Sequence, residues 1–247
     1  MLKNKLSIIT GCNRGIGKAI LQNFAENDSD IIACIRNPSE SFSKFIKDLQ
    51  ERTNVKIEII AFDFENYDEV KEAIKKIASL KRQIDILVNN AGVANGSIFQ
   101  MTPISELEKT LKINFTSQVL FTQGISRLMS KSKKGSIINI SSISGITGEP
   151  GTLSYGSSKA AMIFATKTMA SELGKDNIRV NSVAPSLTRT DMYDQMDEKA
   201  RSKMIQSSAL NRICEPEEVA NVVLFLASDL STFVSGQTIR VDGCYTN

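Results

Sequence analysis

Short apolar runs alternate along this chain with longer stretches whose apolar positions repeat at helical spacing. Leu6-Ser7-Ile8-Ile9-Thr10 reads as a buried strand, and the glycine-rich turn after it opens a helix reaching about Asn27. Residues 31–35 form a second strand, followed by a helix over 38–52, and residues 55–62 a third, followed by a helix over 66–80. Residues 84–88, 136–140, 178–183 and 237–241 bring the expected set to about seven strands. Strands this short and this continuously apolar are buried on both faces, and the helices between them are crossovers of βαβ units. The pattern therefore predicts an α/β fold, a doubly wound parallel sheet with helices on both faces. No repeat, low-complexity linker or composition shift divides residues 1–247, so one domain is expected.

Composition narrows the chemistry more than the fold. Lys and Arg number 30 against 27 Asp and Glu, with the signs interspersed, which does not indicate a nucleic-acid-binding surface. Lys131-Ser132-Lys133-Lys134 is a basic cluster that reads on its own as a solvated helix end. The first residues lead into a strand without a signal-peptide-like segment, and no apolar run approaches the ~20 residues of a membrane span. The four cysteines form no C-x-x-C pair, and histidine is absent. That composition leaves no usual zinc set and removes Ser-His-Asp and Cys-His nucleophiles. A reduced, cytoplasmic protein without a metal is the expectation.

Thr10-Gly11-Cys12-Asn13-Arg14-Gly15-Ile16-Gly17 sits between the first strand and the first helix. Glycines there let the backbone approach a pyrophosphate, and the helix N-terminus offers free N–H groups to it. Gly11, Asn13, Arg14, Gly15, Ile16 and Gly17 are accordingly candidate cofactor contacts in a Rossmann-like site. NAD sites usually carry an acid at the end of the second strand for the ribose 2′-OH. Here that place reads Ile35-Arg36-Asn37. Arg36, with Arg14, can instead clamp a 2′-phosphate, which points to NADPH/NADP. Asp63 and Phe64, after the third strand, are expected beside the adenine. Asn90, Ala91 and Gly92, in Asn89-Asn90-Ala91-Gly92, are expected to line the cofactor with backbone.

Tyr155 and Lys159 are spaced to share a helix face. A free phenol has a pKa of about 10, and a cation one turn away favours the phenolate, drawing it toward neutral pH. This predicts an acid–base pair.

Together these motifs resemble the short-chain dehydrogenase/reductase family, in its single-domain branch, from the first strand to the C-terminus. The resemblance rests on T-G-x-x-x-G-x-G, N-N-A-G, Ser142 thirteen residues before Tyr155 of Y-x-x-x-K, and Pro216-Glu217-Glu218-Val219-Ala220 with Val241-Asp242-Gly243 near the end. It is greatest to bacterial 3-oxoacyl-[acyl-carrier-protein] reductases and related ketoreductases. It implies that Tyr155 protonates the substrate oxygen and that Lys159 lowers the Tyr pKa and holds the nicotinamide ribose. It further implies that Ser142 (rather than Ser141 or Ser144) orients the substrate oxygen, and that Asn114 positions a relay water. Pro185, Thr188 and Thr190 match the loop that holds the carboxamide. Residues 186–210 would then be a substrate lid, with Met192, Met196 and Met204 as candidate pocket residues.

The implied reaction is NADPH-dependent reduction of a carbonyl, of the 3-oxoacyl thioester type. The alternatives are a specialised ketoreductase acting on a non-acyl ketone, sugar or secondary metabolite, and a non-catalytic NADP-binding sensor. A sugar-nucleotide epimerase or dehydratase is disfavoured, because only four residues follow Gly243. Acyl carrier protein is a possible partner through Lys131, Lys133 and Lys134, although Asp176 opposes it. Departures from the family pattern at Ser186, Asn211, Cys214 and Cys244 favour specialisation. Ala160, Ala161, Ala165 and Ala170 suit close helix packing in an implied homotetramer.

Overall fold

The computed structural model describes residues 1–190 and 198–246. The strands are β1 (Leu6–Thr10), β2 (Asp30–Ile35), β3 (Ile57–Ala61), β4 (Ile86–Asn89), β5 (Gly135–Ile140), β6 (Ile178–Pro185) and β7 (Thr238–Val241). They form a seven-stranded sheet in the order β3-β2-β1-β4-β5-β6-β7. Every pairing is parallel. The helices are α1 (Gly15–Glu26), α2 (Glu40–Thr53), α3 (Tyr67–Ser79), α4 (Ile104–Leu111), α5 (Ser117–Met129), α6 (Leu153–Leu173), α7 (Glu198–Gln206) and α8 (Pro216–Ala227).

Alternate strand residues face opposite sides, as the pleat requires. Ile9, Ala33, Val88, Ile138 and Val183 join one core with Phe24 of α1, Leu49 of α2 and Val223 of α8. Ile8, Ile32, Leu87, Ile137 and Val180 join the other with Val70 of α3 and Phe121 of α5. The expected Rossmann-like, doubly wound α/β sheet with helices on both faces is the observed fold.

Local chemistry sets the ends of the crossovers. Ser39 caps α2 by accepting from the Phe42 N–H at 3.1 Å, and Asn54 ends it in a left-handed conformation (φ 58°). Asn66 caps α3, and Glu215 and Glu218 form a capping box ahead of Pro216 on α8. β3 and β4 each start inside the apolar run that predicts them. Val55 and Ile84 are buried without joining the sheet. Between Ile84 and β4, the Asp85 carboxylate accepts from the Leu6 N–H at 2.9 Å. Apolar runs report burial, which extends past strand pairing. Among the described residues, no helix is long and apolar enough to cross a membrane.

Candidate active site

The glycine turn and the segments after β4, β5, β6 and β7 all emerge at the carboxyl ends of the strands, where open α/β sheets bind ligands. Tyr155 and Lys159 lie one turn apart on α6, and Lys159 Nζ stands 5.6 Å from the Tyr155 ring centroid. Lys159 is buried and donates to the Ile140 carbonyl at 2.8 Å, which ties α6 to the end of β5. Ser142 follows two residues later, and its hydroxyl accepts from the Ser144 N–H at 3.2 Å. Backbone meets backbone here: a Cβ on Gly156 would stand 2.6 Å from the Ser144 carbonyl. That close approach sets Ser142 beside the Tyr155 phenol.

Asn114 sits in a π-helical stretch, Lys112–Thr116, between α4 and α5. Such bulges recur at functional sites because the extra residue re-aims a side chain. Its amide donates to the Val93 carbonyl at 2.8 Å and to Ser158 Oγ at 3.0 Å, and its oxygen accepts from the Val93 N–H at 2.8 Å. A Cβ at Gly92 would lie 3.2 Å from Asn114 Oδ1 and 3.6 Å from Lys159 Nζ, so these two side chains converge on one point. The structure thus brings all four of Asn114, Ser142, Tyr155 and Lys159 into one cluster.

The electrostatics differ from the sequence expectation. Burial raises the Tyr155 phenol above its ordinary value, and the Ser142 hydroxyl only partly offsets this. Burial also lowers Lys159, from 10.5 to about 8. The cation is itself destabilised, so its pull on the phenol does not prevail. Because the folded pKa of Lys159 lies below its unfolded value, the unfolded chain binds more protons between about pH 8 and pH 10.5. Stability therefore rises with pH through that window, and the full cost of the buried cation is present below it. Lys159→Met is expected to abolish turnover while stabilising the protein at pH 7 by roughly 2 kcal/mol, and to flatten the alkaline rise. Thermal melts at pH 7 and pH 10 check both effects.

At the nucleotide end, Gly11 and Gly15 adopt positive φ (65° and 52°). A Cβ on Gly17 would collide with the Gly11 carbonyl and the Asn90 amide. Arg14 is the N-cap of α1 and supplies no side-chain cap, which leaves the first-turn N–H groups facing the turn. Asn13 and Arg14 are exposed, and Ile16 is half-buried. This turn fits a dinucleotide pyrophosphate. Arg36 is 64% exposed and makes a loose 3.9 Å contact to Asp63. Phe64 departs from its expected place: its ring packs on Phe62 and Phe121 in the core, so only its backbone could meet an adenine. Asn90 likewise spends its amide on the Thr10 and Gly11 carbonyls at 3.0 and 2.9 Å. Thr10, unmarked by sequence reasoning, accepts from the Asn90 and Ala91 N–H groups at 2.9 and 3.0 Å and locks the two turns together.

Pro185 ends β6. Thr188 is buried and donates to the Ser186 carbonyl at 3.0 Å, and Thr190 donates to the Thr188 carbonyl at 3.3 Å. The Thr190 methyl would lie 3.0 Å from a Cβ on Gly15, so this loop crosses the glycine turn. Met192 and Met196 fall outside the described residues, as do residues 191–197 of the expected lid. Met204 lies on α7 and is half-buried. Asn211 (φ 48°) and Cys244 (φ 59°) both hold a left-handed backbone, Asn at smaller cost than Cys.

Lys131, Lys133 and Lys134 are exposed just before β5, and Asp176 lies just before β6. All are at the amino-terminal edge of the sheet. One strand length, about 20 Å, separates them from Ser142 within the chain.

A family model described as Enoyl-(Acyl carrier protein) reductase matches residues 11–246. The chain belongs to the short-chain dehydrogenase/reductase family, enzymes that use nicotinamide cofactors, and it acts on C=O/CH–OH groups. It is 38% identical to the 3-oxoacyl-[acyl-carrier-protein] reductase FabG of Aquifex aeolicus, over 98% of this chain and 97% of that protein. It is 37% identical to the 3alpha-hydroxysteroid dehydrogenase of Mediterraneibacter gnavus, again over 98% and 97%. A solved 3-oxoacyl-[acyl-carrier protein] reductase with bound NAD from Brucella melitensis superimposes with a TM-score of 0.88 at 30% identity, covering 98% of this chain and 91% of that one.

Proposed function

We propose that this chain is an NADPH-dependent ketoreductase that reduces a 3-oxoacyl thioester to the 3-hydroxyacyl product. The observation that carries the reading is the convergence of the Ser142 and Tyr155 hydroxyls, backed by Lys159 and Asn114. The cofactor supplies hydride to the carbonyl carbon. Ser142 and Tyr155 donate to the carbonyl oxygen, where negative charge develops, and Tyr155 then delivers its proton to that oxygen. A phenol held above its ordinary pKa is protonated at neutral pH, as reduction requires. Lys159, at about 8, sits near working pH and can return a proton to Tyr155. Asn114 Oδ1 keeps a second lone pair for a relay water.

The comparable identity to a hydroxysteroid dehydrogenase supports a second reading, a ketoreductase for a cyclic ketone. NADPH oxidation with acetoacetyl-carrier protein, acetoacetyl-CoA, a 3-oxosteroid and a crotonyl thioester separates these readings. Turnover on the oxo thioesters supports the first, turnover on the steroid alone supports the second, and turnover on crotonyl thioester alone would replace both with enoyl reduction. The relatives named as 3-oxoacyl-[acyl-carrier-protein] reductases support a carrier-bound thioester as substrate, although a carrier docking at Lys131–Lys134 of the same chain would have to reach across the sheet. The exposed Phe164 and Ala160 on α6 favour assembly between copies of the chain.

The cofactor preference rests on Arg36 and Arg14. Arg36→Ala is expected to raise KM for NADPH about tenfold or more through loss of a charge-assisted contact to the 2′-phosphate. KM for NADH should stay within about twofold. Equal effects on both cofactors would refute the clamp.

A further inference from the structure

The chain end after β7 turns back across the cleft side of the sheet. Arg240 Nε donates to Asp242 Oδ2 at 2.6 Å, Arg240 Nη2 donates to the Tyr245 carbonyl at 2.9 Å, and the Cys244 N–H donates to Asp242 Oδ1 at 3.1 Å. This compact turn lays the tail along the segment after α7. Ser208 and Tyr245 form an antiparallel bridge, and the Thr246 N–H donates to the Ser207 carbonyl at 2.9 Å. From there the Tyr245 hydroxyl reaches Glu149 Oε1 at 2.6 Å, across 96 residues of sequence.

Glu149 lies on the loop between Ser142 and Tyr155, and its carbonyl accepts from the Thr152 hydroxyl at 2.8 Å at the start of α6. The same loop is tied to the segment after β4, where the Ser97 N–H donates to the Gly151 carbonyl at 3.1 Å. One phenol therefore links the segment after α7 to the loop that carries the catalytic hydroxyls. Both partners are half-buried, and an O–H···O⁻ bond this short belongs to the stronger, charge-assisted kind. Burial, reinforced by Glu149, pushes the Tyr245 phenol up to about 12, so it remains a donor throughout the working range.

We infer that Tyr245 and Glu149 are a positioning pair: their hydrogen bond latches the C-terminal tail and the segment after α7 against the Ser142–Tyr155 loop, and so sets the substrate-side wall of the cleft. Neither residue touches the reacting atoms in this scheme. Their effect is on how the carbonyl substrate is held, which rests on the ketoreductase reading.

Tyr245→Phe removes the donor and keeps the ring. Its KM for the carbonyl substrate should rise about tenfold, with kcat and the KM for NADPH within about twofold of wild type. Backbone amide exchange over residues 146–152 and 207–210 should accelerate in the same variant without any substrate present. Glu149→Gln keeps an accepting oxygen but loses the charge and should fall between wild type and Glu149→Ala, which should behave as Tyr245→Phe. Unchanged exchange in both Tyr245→Phe and Glu149→Ala would overturn the latch, and so would faster exchange with an unchanged carbonyl KM. If wild type turns over no carbonyl while Tyr245→Phe still loosens both segments, the reaction assignment fails and the latch stands.

Discussion

Tyr155→Phe is expected to lower kcat by about 10³-fold or more, with the dissociation constant for NADPH within about threefold of wild type. General acid catalysis by a placed side chain contributes roughly 10²–10⁴-fold, and loss of a donor to a developing oxyanion about 10²–10³-fold. The phenol supplies both, and the substitution keeps the ring beside Lys159. Burial holds the phenol above its ordinary pKa, so the protonated form that reduction needs persists through neutral pH. Reduction should therefore weaken only on the alkaline side, while the reverse oxidation, which needs the phenolate, should gain there. Stopped-flow hydride transfer and cofactor titration separate the two effects. Wild-type turnover in the variant would remove Tyr155 from the acid role.

The direction of that shift is a point where sequence reasoning stops short. Spacing places Lys159 one turn from Tyr155, and charge alone then argues for a lowered phenol. What spacing does not carry is desolvation, which acts on both groups and lowers Lys159 to about 8. The Phe64 ring is hidden from sequence reasoning for a related reason. Its position after β3 is visible in the chain, but the ring that closes on Phe62 and Phe64, Phe121, comes from α5, far away in sequence. The strands are legible because a parallel sheet covered on both faces demands continuous Ile, Val and Leu. Helix α5 is much less so, since it buries Ser117, Gln118, Thr122 and Ser126 among its apolar residues and its helical period is blurred. Asn114 carries no local sign of its π-helical setting. The Tyr245–Glu149 contact joins two loops, and neither position has any pattern that announces the other.

Gly17→Ala should cost about 3 kcal/mol of stability and weaken cofactor binding more than tenfold, a larger loss than removal of either arginine. The added methyl would meet the Gly11 carbonyl and the Asn90 amide, with the Cys12 Cα only 2.9 Å away. Two of these three are backbone atoms. The Asn90 amide has little freedom either, because it donates to the Thr10 and Gly11 carbonyls, and Thr10 Oγ1 in turn holds the Asn90 and Ala91 N–H groups. Relief has to come from lifting the glycine turn off the end of β4, which displaces the N–H groups that face a pyrophosphate. Gly148→Ala is the contrasting control, since no atom lies within 4 Å of a Cβ built there. Chemical denaturation and NADPH fluorescence titration of the two variants test the claim. An intact midpoint and intact affinity in Gly17→Ala would mean that the turn is looser than its hydrogen bonds imply, and that the cradle is not what selects glycine at this position.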